Sequence, residues 1–424
     1  MRSPILKFII FLFFLNCSKE TIQKEFLIFQ DPYNSNSSSS GSDNINQRLK
    51  KSPCENGMAS IYPCKGYDFV SRITLDEFES KSGNDNWGWT DPETGIEYVI
   101  SGLNDGTAFV SIEDPENPIY LGKLPTSTFS SDYRDIKVYN SHAFIVSEAP
   151  NHGLQVFDLT RLRGITEFQS FNADVTLQDF GNAHNIAINE ETGFAFVVGS
   201  NLYQGGPVFI DVNDPKKPKI VGGFETASYT HDAQIIIYRG PDENYQGKEL
   251  LFGSNTDGGA NNKIVILDVT DKKNPEWLQS IFYENGGYTH QGYITEDHRY
   301  FFIGDELDEI NYGSPTSTRI FDLTDLSNPK LHLNYYASLS AIDHNGYTKG
   351  DKFFMASYTA GLRVLDISSI EEKQIEEIGF FDSYPSDNDT KFAGAWNVYP
   401  YFESGIIAIN DIESGLILVK ASEN

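Results

Sequence analysis

Val208–Pro218 reads VFIDVNDPKKP, and the return of that phrase along the chain decides the fold. It holds an alternating apolar run, an Asp, and a turn that carries Pro. Copies stand at Phe109 (FVSIEDPENP), Gln155 (QVFDLTRLRG), Ile264 (IVILDVTDKKNP), Arg319 (RIFDLTDLSNP) and Arg363 (RVLDISSIEE). A shortened copy, LILVK at Leu416, ends the series. With the Asp position as marker, the copies fall at Ser111, Asp158, Asp211, Asp268, Asp322, Asp366 and Lys420, 44 to 57 residues apart. Short apolar runs bounded by Asp, Asn and Pro read as strands ended by turns. A period of about 50 residues with several strands per unit is the pattern of a propeller blade.

A second marker runs ahead of the first. The segments NWGWTD, RDIKVY, HNIAIN, HDAQII, HQGYIT, HNGYTK and WNVYPY begin at or next to Trp87, Arg134, His184, His231, His290, His344 and Trp396. Each is expected to be the innermost strand of a blade. AFIVSE, AFVVGS, LLFGSN, YFFIGD and FFMASY follow as second strands, then the Asp-phrases, then short outer strands such as YLGKL and KIVGGF. The last unit stops after LILVK and lacks its outer strand, while Tyr67–Leu75 (YDFVSRITL) is one strand too many at the front. The expected architecture is therefore all-β, a seven-bladed β-propeller closed by an N-terminal strand, which removes the exposed sheet edge.

Composition agrees. The 424 residues carry 32 Lys and Arg against 60 Asp and Glu, a net charge of −28. That excludes a nucleic-acid partner as the default, because phosphate binding needs a basic face. Aromatics at 13% supply ample core, and there is no long helical period.

The front of the chain is a targeting segment. Arg2 and Lys7 precede the apolar run Ile9–Leu15, too short to span a bilayer core of about 30 Å, and Cys17 follows at once. The expected organisation is a lipoprotein signal peptide over 1–16, lipidation of Cys17, a flexible Ser/Asn-rich tether over 17–52 and the propeller over 53–424. The destination is the cell outer membrane or cell surface, with the membrane as a partner through the lipid anchor and the body a monomer. Cys54 and Cys64 are expected to form one disulfide, as suits an exported chain.

Several motifs resemble the choice-of-anchor B family of LVIVD-repeat proteins. They are NDNWGWTD from Asn84, HGLQVFDLTRLR from His152, AHNIAINEETGFAFVVGS from Ala183, YTHDAQIIIYRGPD from Tyr229, YTHQGYITEDHRYFFIGDELDE from Tyr288, DHNGY from Asp343 and YPYFESG from Tyr399. The resemblance spans roughly Cys54 to Lys420. It implies a β-propeller held at the cell surface, here as a bacterial lipoprotein, and it implies no defined activity.

The ring markers define a candidate site at one channel mouth: Trp87, Arg134, His184, His231, His290, His344 and Trp396. Two readings stand side by side. In one, His184, His231, His290 and His344, with Asp305 and Glu306, hold a divalent metal (Zn or Ca), which opens metal-dependent hydrolysis as an alternative function. In the other, each His ties one blade to the next by hydrogen bonds. The acidic run Asp305–Glu309 is read as a solvated loop or a calcium ligand without EF-hand spacing. His142, His298 and His332 are expected to be solvated. No catalytic motif is present, so the leading expectation is a binding module for an extracellular or host protein, with Tyr229, Tyr288, Tyr312, Tyr358 and Tyr384 as loop anchors.

Overall fold

The computed structural model describes residues 49–258 and 261–423. The expected signal peptide, the expected lipidation site Cys17 and the expected tether up to residue 48 lie outside them. Seven sheets, antiparallel but for one short edge pair, follow one another round a ring. The innermost strands are Gly83–Thr90, Arg134–Tyr139, Asn185–Asn189, Tyr229–Ile237, Thr289–Ile294, Gly346–Lys349 and Ala395–Tyr399, which define blades 1 to 7 in that order. The fourth strands of blades 1 to 6 are Ile119–Pro125, Val175–Leu177, Lys219–Gly223, Glu276–Ile281, Lys330–Tyr336 and Glu376–Phe381, and Gln169–Ser170 adds a short parallel edge to that of blade 1. Blade 7 takes its fourth strand from the front of the chain: Tyr67–Ile73 pairs with Gly415–Ala421 over the register Tyr67↔Ala421 to Ile73↔Leu416. No helix among the described residues is long and apolar enough to cross a membrane.

Every Asp-phrase is the third strand of its blade, and the Asp has a local reason to recur. Its carboxylate accepts the backbone N–H two residues on: Asp158 from Thr160 (3.1 Å), Asp211 from Asn213 (3.1 Å), Asp268 from Thr270 (2.9 Å), Asp322 from Thr324 (2.8 Å) and Asp366 from Ser368 (2.8 Å). These Asx turns stop the strand and aim the chain at the outer strand. Apolar residues of neighbouring blades interleave, as where Phe109 stacks on Phe157 at 4.4 Å and Phe302 on Phe353 at 4.7 Å. Each such ring contributes roughly 1.5–3 kcal/mol by leaving water.

The closure has a second part. Cys54 and Cys64 are disulfide-bonded. They bracket the hairpin Met58–Ala59 with Tyr62–Lys65, which joins the outer edge of blade 6 through Cys64↔Phe381. The N-terminal segment thus engages both blades 6 and 7. Ser52 pairs with Phe69 and Leu49 packs on the same core, so contacts with the propeller reach back to residue 49.

Candidate metal centre at the channel mouth

Each innermost strand begins with a pair of residues that do different work. The second of each pair ties blades together. Asp85 accepts from Ile136 N–H (3.0 Å), Asp135 from Ile186 N–H (2.8 Å), and Gln291 from Gly346 N–H (3.0 Å). Asp232 accepts from the Asn185 amide at 2.7 Å, and the Asn397 amide donates to Asp85 and to Asn86 O. Lys137 compensates the buried carboxylates, 2.9 Å from Asp135 and 3.8 Å from Asp85. Burial nevertheless raises Asp232, to about 7, and raises Asp85 well above its usual range.

The first of each pair lines the mouth. The imidazoles of His184, His231, His290 and His344 follow one another with centroids 4.0, 4.4 and 4.2 Å apart. Trp396 continues the circle 5.0 Å from His344, and Tyr133 closes it, 5.7 Å from Trp396 and 5.8 Å from His184. Arg134 stands beside Tyr133. It is fully buried, donating to Leu103 O (3.1 Å) and facing His152 Nε2 (3.1 Å).

The tautomers follow from the blade geometry. His231 Nδ1 lies 3.0 Å from His290 O, and His344 Nδ1 lies against Trp396 O. A carbonyl only accepts, so each Nδ1 carries the proton and each Nε2 keeps its lone pair. Glu306 Oε1 lies 3.6 Å from the bare Nε2 of His344 and 3.7 Å from Nε2 of His290, whose Nδ1 is buried without a hydrogen-bond partner. Ligand atoms of His231, His290 and Glu306 lie within 4.8 Å of one another. Tyr358 holds Glu306 in place through a 2.8 Å O–H bond. Tyr358 itself sits at φ +29°, a left-handed conformation that a bulky residue adopts only when its surroundings impose it.

Electrostatics separate the four histidines. Burial, then the neighbouring imidazoles, hold His231 and His290 well below the ordinary value, and burial takes His344 to about 3. Burial also opposes the charge on His184, but the Glu148 carboxylate at 2.6 Å outweighs it and raises the pKa. Burial lifts Glu306 to about 7. Three neutral imidazoles therefore face one carboxyl group, with a protonatable imidazole beside them. The four imidazoles, with Tyr133, Trp396, Asp85, Asp135 and Asp232, also line a cavity of about 20 Å³, room for one water-sized body.

Several expectations need correction. Trp87 is not in this circle. It packs with Tyr347 (5.9 Å), Tyr399 (5.2 Å) and Tyr401 (6.4 Å), under Lys137. A bulge between Gly83 and Asn86 puts Asn84–Asp85 in the equivalent place, three residues earlier, so Trp87 points to the other side of the pleat. Asp305 is not a free ligand: it accepts from Tyr283 O–H (2.8 Å) and from the N–H groups of Gly287 (3.0 Å) and Tyr288 (2.7 Å), anchoring a loop. Tyr229 is half-buried and Tyr358 buried, both inside the aromatic circle rather than on the surface. His142 is buried, with Nδ1 2.7 Å from Asn140 O, and His332 Nε2 lies 2.7 Å from Ile370 O; His298 Nδ1 accepts from Arg239 N–H (2.9 Å). These three are partnered, not solvated.

No family model and no curated protein matches this chain. Among solved structures it is similar to hydrazine synthase of Kuenenia stuttgartiensis, with 10% identity, TM-score 0.55, and 80% of this chain and 96% of that one covered. It is also similar to the Cps50 β-propeller domain of Myceliophteria thermophila, with 12% identity, TM-score 0.54, and 84% and 100% coverage. At these identities the likeness speaks for the fold, and the chain is a seven-bladed β-propeller.

Proposed function

We propose that this chain is a lipid-anchored, cell-surface β-propeller of the choice-of-anchor B type that works as a binding module, and that its channel mouth binds one divalent transition-metal ion. The observation that carries the reading is the convergence of His231, His290 and Glu306, whose ligand atoms lie within 4.8 Å of one another, while Nδ1 of His231 and of His344 is turned to a backbone carbonyl. His231, His290 and Glu306 form a two-nitrogen, one-carboxylate set, with His344 adjacent. Imidazole donors favour zinc or iron over calcium, which takes oxygen ligands. The cavity of about 20 Å³ beside the imidazoles has room for one water-sized body, not for an organic substrate, which favours binding over hydrolysis. For His231 and His344 the blade-tying and ligand readings are compatible, because they use opposite ring nitrogens.

Elemental analysis of protein purified without chelator tests this. One bound transition metal per chain, lost in His231→Ala/His290→Ala, is expected. A trace that the double variant leaves unchanged, with no thermal shift on adding Zn²⁺, would overturn it. Docking of an extracellular protein on the same face is a second reading. The mouth-side loops carry Phe129 (69% exposed), Phe282 (61%) and Tyr312 (53%) in the open. Loss of adhesion to an immobilised extracellular-matrix protein in the triple serine variant is the test.

A further inference from the structure

Outward from the imidazole circle, an open cavity of about 440 Å³ lies between the loops of blades 4 and 5. That falls within the range of small-ligand sites, roughly 300–1,000 Å³. Its walls come from three places. They are Asn262 just ahead of the third strand of blade 4, the loop from Phe282 to Gly287 between the two blades, and Asn311 and Tyr312 at the end of the short helix Asp308–Tyr312. The chain carries a net charge of −28, yet none of the described residues that line this cavity is charged. The acids of the short helix are turned inward instead: Asp308 is 1% and Glu309 3% exposed, so the expected solvated acidic loop is an interior one. Asp308 accepts from Arg319 Nη2 (2.8 Å) and Ser317 O–H (2.6 Å), which holds the helix on its blade.

The cavity is pre-formed. Tyr283 Oη donates to Asp305 (2.8 Å) and lies 2.7 Å from the Thr289 hydroxyl, and the Arg319 guanidinium lies over the Tyr283 ring at 4.7 Å, so that wall is fixed. Gly287 N–H also donates to Asp305 (3.0 Å). The Asn262 amide accepts from the Thr256 hydroxyl (2.6 Å) and donates to Gly286 O (3.0 Å), tying the strand to the loop. Glycine lets these surfaces meet: a Cβ on Gly287 would stand 2.8 Å from Leu307 C and 3.0 Å from Asn311 Nδ2. On this frame Phe282 and Tyr312 are exposed, and so are Asn285 and Asn311. The aromatic surface continues past the cavity. Lys263 Nζ stands 5.8 Å from the Phe282 ring and 5.7 Å from that of Trp277, which is 38% exposed and packs on Phe224 at 6.2 Å.

Exposed aromatic rings suit a ligand with apolar C–H faces, and amides, which both donate and accept, suit hydroxyl groups, which do the same. A pyranose combines the two, with C–H groups on its faces and hydroxyls on its rim. An uncharged lining selects neutral sugars over sialylated or sulfated ones, whose charge would lose water without a partner. We propose that the cavity between blades 4 and 5 binds a neutral oligosaccharide. Phe282 and Tyr312 stack on sugar faces, Asn285 and Asn311 bond hydroxyls, and Trp277 carries the next unit of the saccharide. A proline-rich peptide also docks on aromatic grooves, but its carbonyls only accept and use half of each amide. This site deepens the binding-module reading and shares no residue with the metal set.

The test is an array of neutral oligosaccharides of glucose, galactose, mannose and N-acetylglucosamine, probed with the purified full chain. Calorimetry follows with the best binder, its sialylated counterpart and decaproline. Binding of the neutral sugar alone is expected. Phe282→Ser and Tyr312→Ser should each weaken it about tenfold, and Tyr312→Phe should retain it. His231→Ala/His290→Ala and Phe129→Ser should bind like the native chain, which separates this site from the metal set and from protein docking across the whole face. An array with no neutral sugar bound would overturn the proposal. So would binding that both serine variants leave unchanged, a loss in Phe129→Ser as large as theirs, or decaproline bound in place of sugar.

Discussion

Replacing Lys137 by Met removes the cation that compensates the carboxylates below the channel mouth while keeping the volume of its stem. Its Nζ is 2.9 Å from Asp135 and 3.8 Å from Asp85, donates to Ile136 O, and lies 4.6 Å over the Trp87 ring. The lysine side chain is 17% exposed and the two carboxylates 6% and 2%. Removing one partner of a buried pair costs about 3–5 kcal/mol, and the residual exposure of Lys137 places this case near the lower end, about 3 kcal/mol. Loss of the contact with Trp87 adds roughly 0.5–1 kcal/mol, which the apolar methionine partly offsets. The penalty depends on pH. Burial already raises Asp232 to about 7 and raises Asp85, and losing the lysine raises both further. A carboxyl with a raised folded-state pKa binds more protons folded than unfolded, so its stability rises as pH falls through that value. Urea unfolding followed by tryptophan emission should therefore show the full loss at about pH 8 and a smaller one at about pH 5.5. Adding Asp135→Asn should recover much of it. A loss under about 1 kcal/mol at the higher pH, or an equal loss at both, would refute the reasoning.

Other outcomes follow from the same geometry. Burial and Arg134 lower His152 to about 4 from an unfolded value of about 6.5, so its contribution is intact above the latter and falls away toward the former, by about 3 kcal/mol. His152→Gln should flatten the stability profile across that window; an unchanged profile counts against it. Cys54→Ser/Cys64→Ser should cost about 3 kcal/mol through the freed loop, with faster amide exchange confined first to Met58–Lys65. Uniform exchange would contradict a local clip. Gly199 stands at φ +64°, where a Cβ would meet Tyr229 Oη at 2.5 Å and His184 Cβ at 2.6 Å. Gly199→Ala should cost about 2 kcal/mol or more and weaken zinc binding, measured by calorimetry; full zinc affinity would show that this wall of the mouth is slack.

Much of the ring was legible because its cause is local. The Asp of each phrase makes a turn with its own chain, so it repeats in sequence as the blade repeats in space. The His markers were legible for the same reason, each opening an innermost strand. Trp87 falls outside the ring because the bulge between Gly83 and Asn86 shifts blade 1 by three residues, which the spacing of the markers does not show. The better signal was the following residue: Asp135, Asn185, Asp232, Gln291, Asn345 and Asn397 each follow a marker, and Asp85 follows Asn84 in the same way. Glu306 and Tyr358 owe their roles to contacts between blades, which no local pattern encodes. The difference between Asp305, satisfied by its own loop, and Glu306, turned to the imidazoles, is likewise tertiary.

The strand that seals the ring is synthesised among the first parts of the body, and its mates are the last. Asp68 and Ser422, 354 positions apart, share a hydrogen bond. Successive blades can form as the polypeptide emerges, but the circle stays open until the final residues arrive. A chain cut short before Gly415 retains two unpaired strand edges and so advertises its own incompleteness. Closure thereby ties the fate of the first strand to the last: without Gly415–Ala421, Tyr67–Ile73 and Ile406–Asp411 both keep margins open to other chains.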